Sequence, residues 1–236
     1  MRPEEPSTSA QARRAPVRSV GATAQSSVFE SKWWVSNERR WLEIAAHQRE
    51  YFNRLADVFD VPQPKSVMDR LRKIVAASGL HRDDVVLDVG TGAGVLLPLI
   101  QSYRPSLVLA CDLADQMLAH VHTKNPLVRV VQCDIVRLPL KAASVDIVFM
   151  NAMYGNIADK LAACANVASA LKPRGRLIVS HPEGRGFVEK LRAAGDLFIE
   201  SLPARGEFQA LLQPLGLKVV TYWDEPKLYL MVARKT

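Results

Sequence analysis

The sequence predicts an α/β fold: a doubly wound, mostly parallel seven-stranded sheet that ends in an antiparallel hairpin, under an N-terminal helical cover. Three observations predict it. From residue 85 onward, short apolar runs alternate with segments whose apolar positions repeat every three to four residues. That alternation is the mark of parallel βαβ units with right-handed crossovers. The last two apolar runs, 217–222 and 228–233, are too close for a crossover, so they must pair antiparallel. Between the first strand and the first helix of the alternation lies Asp88-Val89-Gly90-Thr91-Gly92-Ala93-Gly94. Glycine is needed in such a bend because a Cβ would block the turn or a ligand.

The expected strands are 85–89, 107–111, 128–132, 145–150, 176–181, 217–222 and 228–233. Helices are expected near 94–101, 114–121, 157–171, 183–194 and 205–212, with a 223–226 turn inside the terminal hairpin. Ahead of the sheet, residues 32–80 read as a helical cap. Trp41, Ile44, Ala45, Phe52, Leu55 and Ala56 share one helical face from Ser36 to Phe59, with Ser36 or Asn37 as the cap. Pro62 and Pro64 break this helix, and Val67, Leu71, Ile74 and Val75 form the stripe of a second, ended by Gly79. The aromatic residues Trp33, Trp34, Trp41, Tyr51 and Phe52 read as core, with a substrate lid as the functional alternative.

Residues 1–31 lack periodicity and are rich in Ser, Ala, Pro and Arg, which predicts a disordered tail. Arg13, Arg14 and Arg18 lie in an acid-free stretch that resembles an organellar transit segment, plastid or mitochondrial. Glu4 and Glu5 count against targeting, and a plain tail on a cytoplasmic protein is the alternative.

The 236 residues are 48% apolar and 23% charged, ordinary for a globular chain. No apolar run reaches the roughly 18 residues that span a bilayer. The net charge of +7 raises the question of a nucleic-acid partner. Basic residues alternate with acids, however, and Asp69-Arg70-Leu71-Arg72-Lys73 reads as a solvated face. Cys111, Cys133 and Cys164 have neither disulfide nor metal-ligand spacing, and no metal is expected. Oligomeric state stays open.

Chemistry concentrates at the strand ends. Asp112 closes the second strand, where a carboxylate accepts hydrogen bonds from both hydroxyls of a ribose. Capping the next helix is its alternative role. Leu113 and Met117 would line the wall beside it. A dinucleotide fingerprint would put the third glycine three residues after the second, and here it comes after two, which disfavours an NAD-dependent oxidoreductase.

DVGTGAG, CDLADQML, QCDIVRLPL and LKPRGR occur in the order found in class I S-adenosylmethionine-dependent methyltransferases, and residues 81–236 resemble that superfamily. Arg174 departs from the usual glycine. The resemblance implies a Rossmann-like catalytic domain with S-adenosyl-L-methionine as cofactor. It implies that Asp88, Gly90, Thr91, Gly92 and Gly94 form the loop around the methionine end. Asp134 would accept from the adenine amino group, with Ile135 on the ring, and Asn151 would lie beneath the methionine moiety. For Asp134 and Asn151 the alternative is a loop carboxylate and a turn-closing amide.

Two catalytic candidates remain. His181 is either a general base for an acceptor hydroxyl or acidic carbon, or the residue that fixes the turn before Pro182. Tyr154 either lines a substrate pocket or packs against the helical cover. Arg185 would bind an anionic group or be solvated. The expected activity is in-line methyl transfer to oxygen or carbon of a small molecule, with no appended RNA-binding module. The alternatives are an RNA or protein methyltransferase, and a non-catalytic assembly factor using Trp33, Trp34 and the tail.

Overall fold

A computed structural model describes the backbone of residues 24–195 and 197–236, and side chains from residue 37 on. The tail before residue 24 and the side chains of Trp33 and Trp34 lie outside the described residues. Residues 40–236 form one unit, and the packing below belongs to it.

The first helix, α1 (Ala24–Arg54), starts ahead of the expected Ser36, so Ser36 and Asn37 sit inside it rather than capping it. From residue 22 to 61 there is neither Gly nor Pro to stop a helix. Leu55, at φ −103 and ψ 7, breaks the run, and one further turn, α2 (Ala56–Phe59), follows. After the two prolines, α3 (Lys65–Ala77) buries Val67, Leu71, Ile74 and Val75, the stripe expected for it.

The seven strands are β1 (Val85–Val89), β2 (Leu107–Asp112), β3 (Arg129–Gln132), β4 (Val145–Asn151), β5 (Leu171–His181), β6 (Leu217–Glu225) and β7 (Leu228–Lys235), in the order β3-β2-β1-β4-β5-β7-β6. β1 to β5 run parallel, and β7 inserts antiparallel between β5 and β6. Glu225 pairs with Leu228, so the hairpin turn is Pro226-Lys227 alone, tighter than expected. Strand order reverses between β1 and β4, which opens a crevice outside their carboxyl ends.

The helices between strands are α4 (Leu97–Gln101), α5 (Asp115–Lys124), α6 (Lys160–Ala170), α7 (Gly184–Ala194) and α8 (Arg205–Leu212). They cover both faces of the sheet. On one face Leu87, Val148 and Met150 pack with Ala163, Cys164 and Val167 of α6 and Phe208 of α8. On the other, Val86, Ile147 and Phe149 pack with Leu71 and Ile74 of α3, Leu97 and Ile100 of α4 and Val121 of α5. Alternation along β4 (Ile147 and Phe149 one way, Val148 and Met150 the other) feeds both cores from one strand. No described helix is long and apolar enough to cross a membrane.

Candidate active site

β1 delivers the chain to a bend in which Gly90, Gly92 and Gly94 have φ of 61°, 54° and 86°. This is the left-handed region where a side chain is strained. Space differs between them. A Cβ on Gly90 would lie 2.7 Å from Met153 Cγ, whereas one on Gly92 would meet nothing within 4 Å. Gly92 therefore faces open volume, as a cofactor-binding turn must. The helix beyond starts at Leu97 and not at Gly94, because turns carry the chain through 92–96. α4 has only five residues.

Asp88 and Asp112 set the shape of this loop. Asp88 is 2% exposed and lies behind the bend; its Oδ2 accepts from Thr91 Oγ1 at 2.7 Å. Burial pushes its carboxyl up to about 7, against the opposing Thr91 hydrogen bond. Asp112 Oδ2 accepts from the Gly92 N–H and its Oδ1 from the Ala114 N–H, both at 2.9 Å. Burial raises its carboxyl too, and those bonds to Ala114 and Gly92 hold the rise back. Asp112 thus turns the chain into α5 without capping it, since Ala114 is the N-cap residue, and the ribose reading stays open to it. A carboxylate has about four acceptor positions, and two remain for a diol.

Asp134 caps a 3₁₀ turn over Ile135–Arg137, its Oδ1 accepting from Val136 N–H at 3.1 Å; Ile135 is buried. Asn151 ends β4, 9% exposed, and its Oδ1 accepts from Ser180 Oγ at 2.9 Å. Loop, Asp112, Asp134 and Asn151 all follow carboxyl ends of parallel strands. Leu113 is half-buried there. Met117, expected to line the wall, is instead closed into a seam with Ala56 and Ala114, against Phe52 and Ala93, because the N-terminal cap covers α5.

Of the two catalytic candidates, His181 makes the local turn contact that was its alternative, whereas Tyr154 packs on α8 rather than on the helical cover and lines a cleft. His181 Nδ1 accepts from the Glu183 N–H at 3.2 Å, leaving the proton on Nε2 of the neutral ring. A ring so placed donates but has no free lone pair for a base. Burial lowers its pKa to about 4. Tyr154 is 1% exposed, edge-on to the Phe208 ring at 5.2 Å, and its pKa is raised by burial. A 270 Å³ cleft on that side, lined by Tyr154, Lys160, Glu200 and Phe208, opens toward α8.

Two arginines differ from expectation. Arg185 is neither solvated nor free for an anion: it donates to the carbonyls of Leu202 (2.7 Å) and Pro203 (3.1 Å) and pairs with Asp224 at 2.9 Å. Arg70 is not on a solvated face, since it pairs with Glu183 at 2.5 Å and donates to the Pro182 carbonyl. Sequence reasoning missed two side chains of α1. Asn53 Nδ2 donates to Asp115 Oδ1 at 2.9 Å and its Oδ1 accepts from the Gln116 N–H at 3.1 Å. Gln48, 4% exposed, donates to the carbonyls of Asn156 (2.7 Å) and Phe198 (3.1 Å). A polar residue in an amphipathic helix gives no signal that its partner lies a hundred positions away.

Residues 87–179 match the methyltransferase domain family. With the sheet order and the glycine loop, the chain has the fold of the class I S-adenosylmethionine-dependent methyltransferases and is similar to them over this central segment. Among curated relatives, malonyl-[acyl-carrier protein] O-methyltransferase of Xylella fastidiosa is 32% identical over 77% of this chain and 63% of its own length. The enzyme of that name from Methylovorus is 32% identical over 63% of this chain and 54% of its own. The chain thus spans less than two thirds of these relatives. Magnesium protoporphyrin IX methyltransferase from Synechocystis, solved with SAH bound, shares the fold at TM-score 0.61 and 20% identity, over 81% of this chain and 99% of that one.

Proposed function

We propose that the chain binds S-adenosylmethionine at the carboxyl ends of β1 to β4 and transfers its methyl group to oxygen or carbon of a small-molecule acceptor. The observation that carries this is the Asp112 bridge. One carboxylate holds the open Gly92 turn and the start of α5 together, with acceptor positions left over. Asp134 offers an acceptor one strand away, as an adenine amino group needs, beside the buried Ile135. Two relatives support a small-molecule acceptor by name: the malonyl carrier-protein O-methyltransferases and a chloroplastic 2-phytyl-1,4-beta-naphthoquinone methyltransferase from Arabidopsis thaliana, 27% identical.

The bound sulfonium would supply an activated methyl group with a neutral leaving group. The residues then have to orient, and such positioning is worth about 7–11 kcal/mol. Gly90, Gly92 and Asn151 would fix the methyl-bearing end. Asp112 would fix the ribose. His181 and Tyr154 are held by Glu183 and Phe208, so the transfer is proposed to run without a base from either. Asp88 acts through Thr91.

Calorimetric titration with S-adenosylmethionine, followed by a metabolite screen with labelled methyl donor, tests the proposal. Binding and label transfer are expected. Absence of binding would turn the reading toward a scaffold. Transfer to RNA with a steep salt dependence would turn it toward a nucleic-acid substrate.

A further inference from the structure

We propose that Gln48 is a latch that holds residues 40–54 of α1 closed over the crevice, and that its release opens the route by which cofactor and acceptor pass. The identity of what passes rests on the methyltransferase reading above.

Among the described residues, the stretch 40–60 ahead of α3 is attached to the sheet domain on two sides of the glycine loop. The first attachment is broad and lies on α5. Asn53 supplies to α5 the side-chain cap that Ala114, its own N-cap residue, lacks. Phe52 and Ala56 share the apolar seam with Ala114 and Met117. His120 lies 3.1 Å from both Asp57 and Asp60, and Lys124 pairs with Asp60.

The second attachment is narrow. Five residues earlier, roughly 7.5 Å along the helix, the Gln48 amide donates both hydrogens to main-chain carbonyls, Asn156 after β4 and Phe198 after α7. Those two segments are themselves joined by Glu200 N–H to the Gly155 carbonyl at 2.8 Å and by Asn156 Nδ2 to the Phe198 carbonyl at 3.4 Å. One side chain therefore closes α1 onto a prebuilt platform. The glycine loop lies between the attachments, since β1, which leads into it, stands between β2, which leads to α5, and β4, which leads to Asn156.

Chemistry makes the two sides unequal. The α5 side combines an apolar seam, a helix cap and ion pairs, which are lost together or not at all. The Gln48 side consists of two neutral hydrogen bonds that water replaces at little net cost. Leu55 has already left helical geometry beside the anchor, which gives the helix a joint on that side. Gln48 is thus a positioning residue: it touches no reacting group and acts through the lid.

Hydrogen–deuterium exchange on the full chain tests this, with Gln48→Met (same length, no donor) and Gln48→Glu (acceptors facing carbonyls). Amides of residues 40–50 are expected to exchange about tenfold faster, while β1 and β4 keep their rates. Stopped-flow release of S-adenosylhomocysteine should accelerate by a similar factor. Unchanged exchange at 40–50, or a rise spread evenly over β1 and β4 in both variants, overturns the latch. Faster exchange with unchanged release overturns its gating role. Should the unmodified chain bind no S-adenosylhomocysteine, the cofactor reading fails, and the exchange result alone judges the latch.

Discussion

Asp112 shows how much one side chain carries when it ends a strand next to a switch in strand order. Both its oxygens hold main-chain N–H groups from segments twenty and two residues away in sequence. Asp112→Ala removes both acceptors together, and each buried donor left unpaired costs about 1–3 kcal/mol. Cofactor affinity is expected to fall by at least tenfold by calorimetry, with a lowered melting temperature. Gly92→Arg separates binding from folding, because its Cβ enters open volume at a φ of 54°. Affinity should vanish while melting moves by only the roughly 1–2 kcal/mol of a left-handed residue. At His181 the expectation runs the other way. A base contributes roughly 10²–10⁴-fold, whereas a turn-fixing ring contributes little to chemistry, so His181→Gln should keep kcat within about tenfold.

Among the elements, α1 is where sequence and structure differ most. Its periodicity disclosed an amphipathic helix, yet neither its start at Ala24 nor the partners of Gln48 and Asn53 follow from that pattern. The strands were legible nearly to the residue, because a strand buried on both faces must be continuously apolar. The exceptions are β5, which starts at Leu171, ahead of the expected Arg176, through a register shift against β4, and the hairpin strands β6 and β7, which run on to Glu225 and Lys235. Arg70 and Arg185 were read as solvated or free because arginine usually is. Pairing with Glu183 and Asp224 needs contacts that spacing does not reveal. Asn53→Ala tests the link between cap and site. Losing a helix cap costs about 1 kcal/mol, so denaturant unfolding should shift by that amount. Cofactor affinity should weaken as well, since α5 begins three residues past Asp112.

For the whole molecule, two buried groups set opposing pH dependences. Asp88 titrates near 7 in the folded chain against 3.8 when unfolded, so the native state holds the extra proton and stability falls as pH rises from about 4 to 7. His181 titrates near 4 against 6.5, so the unfolded state holds the proton and stability rises over nearly the same window. The Asp88 shift is worth about 4 kcal/mol and the His181 shift about 3, and in the unmodified chain these two largely oppose each other. Urea unfolding at pH 4.5, 5.5 and 7 should show a rising limb in Asp88→Asn and a falling limb in His181→Gln. Parallel curves in the two variants would mean that neither group is buried as described.

What the sequence by itself determined is the class: the strand and helix periods, the glycines whose φ demands them, and the acids that follow strands are all local, and local chemistry is written in consecutive residues. What only the tertiary structure decided is which polar groups are already engaged. His181, Tyr154, Arg185 and Gln48 each have several chemically reasonable roles, and a hydrogen-bonding group takes the partner that folding brings within about 3 Å. For Gln48 those partners are two carbonyls more than a hundred residues away, so its role exists only in the assembled fold.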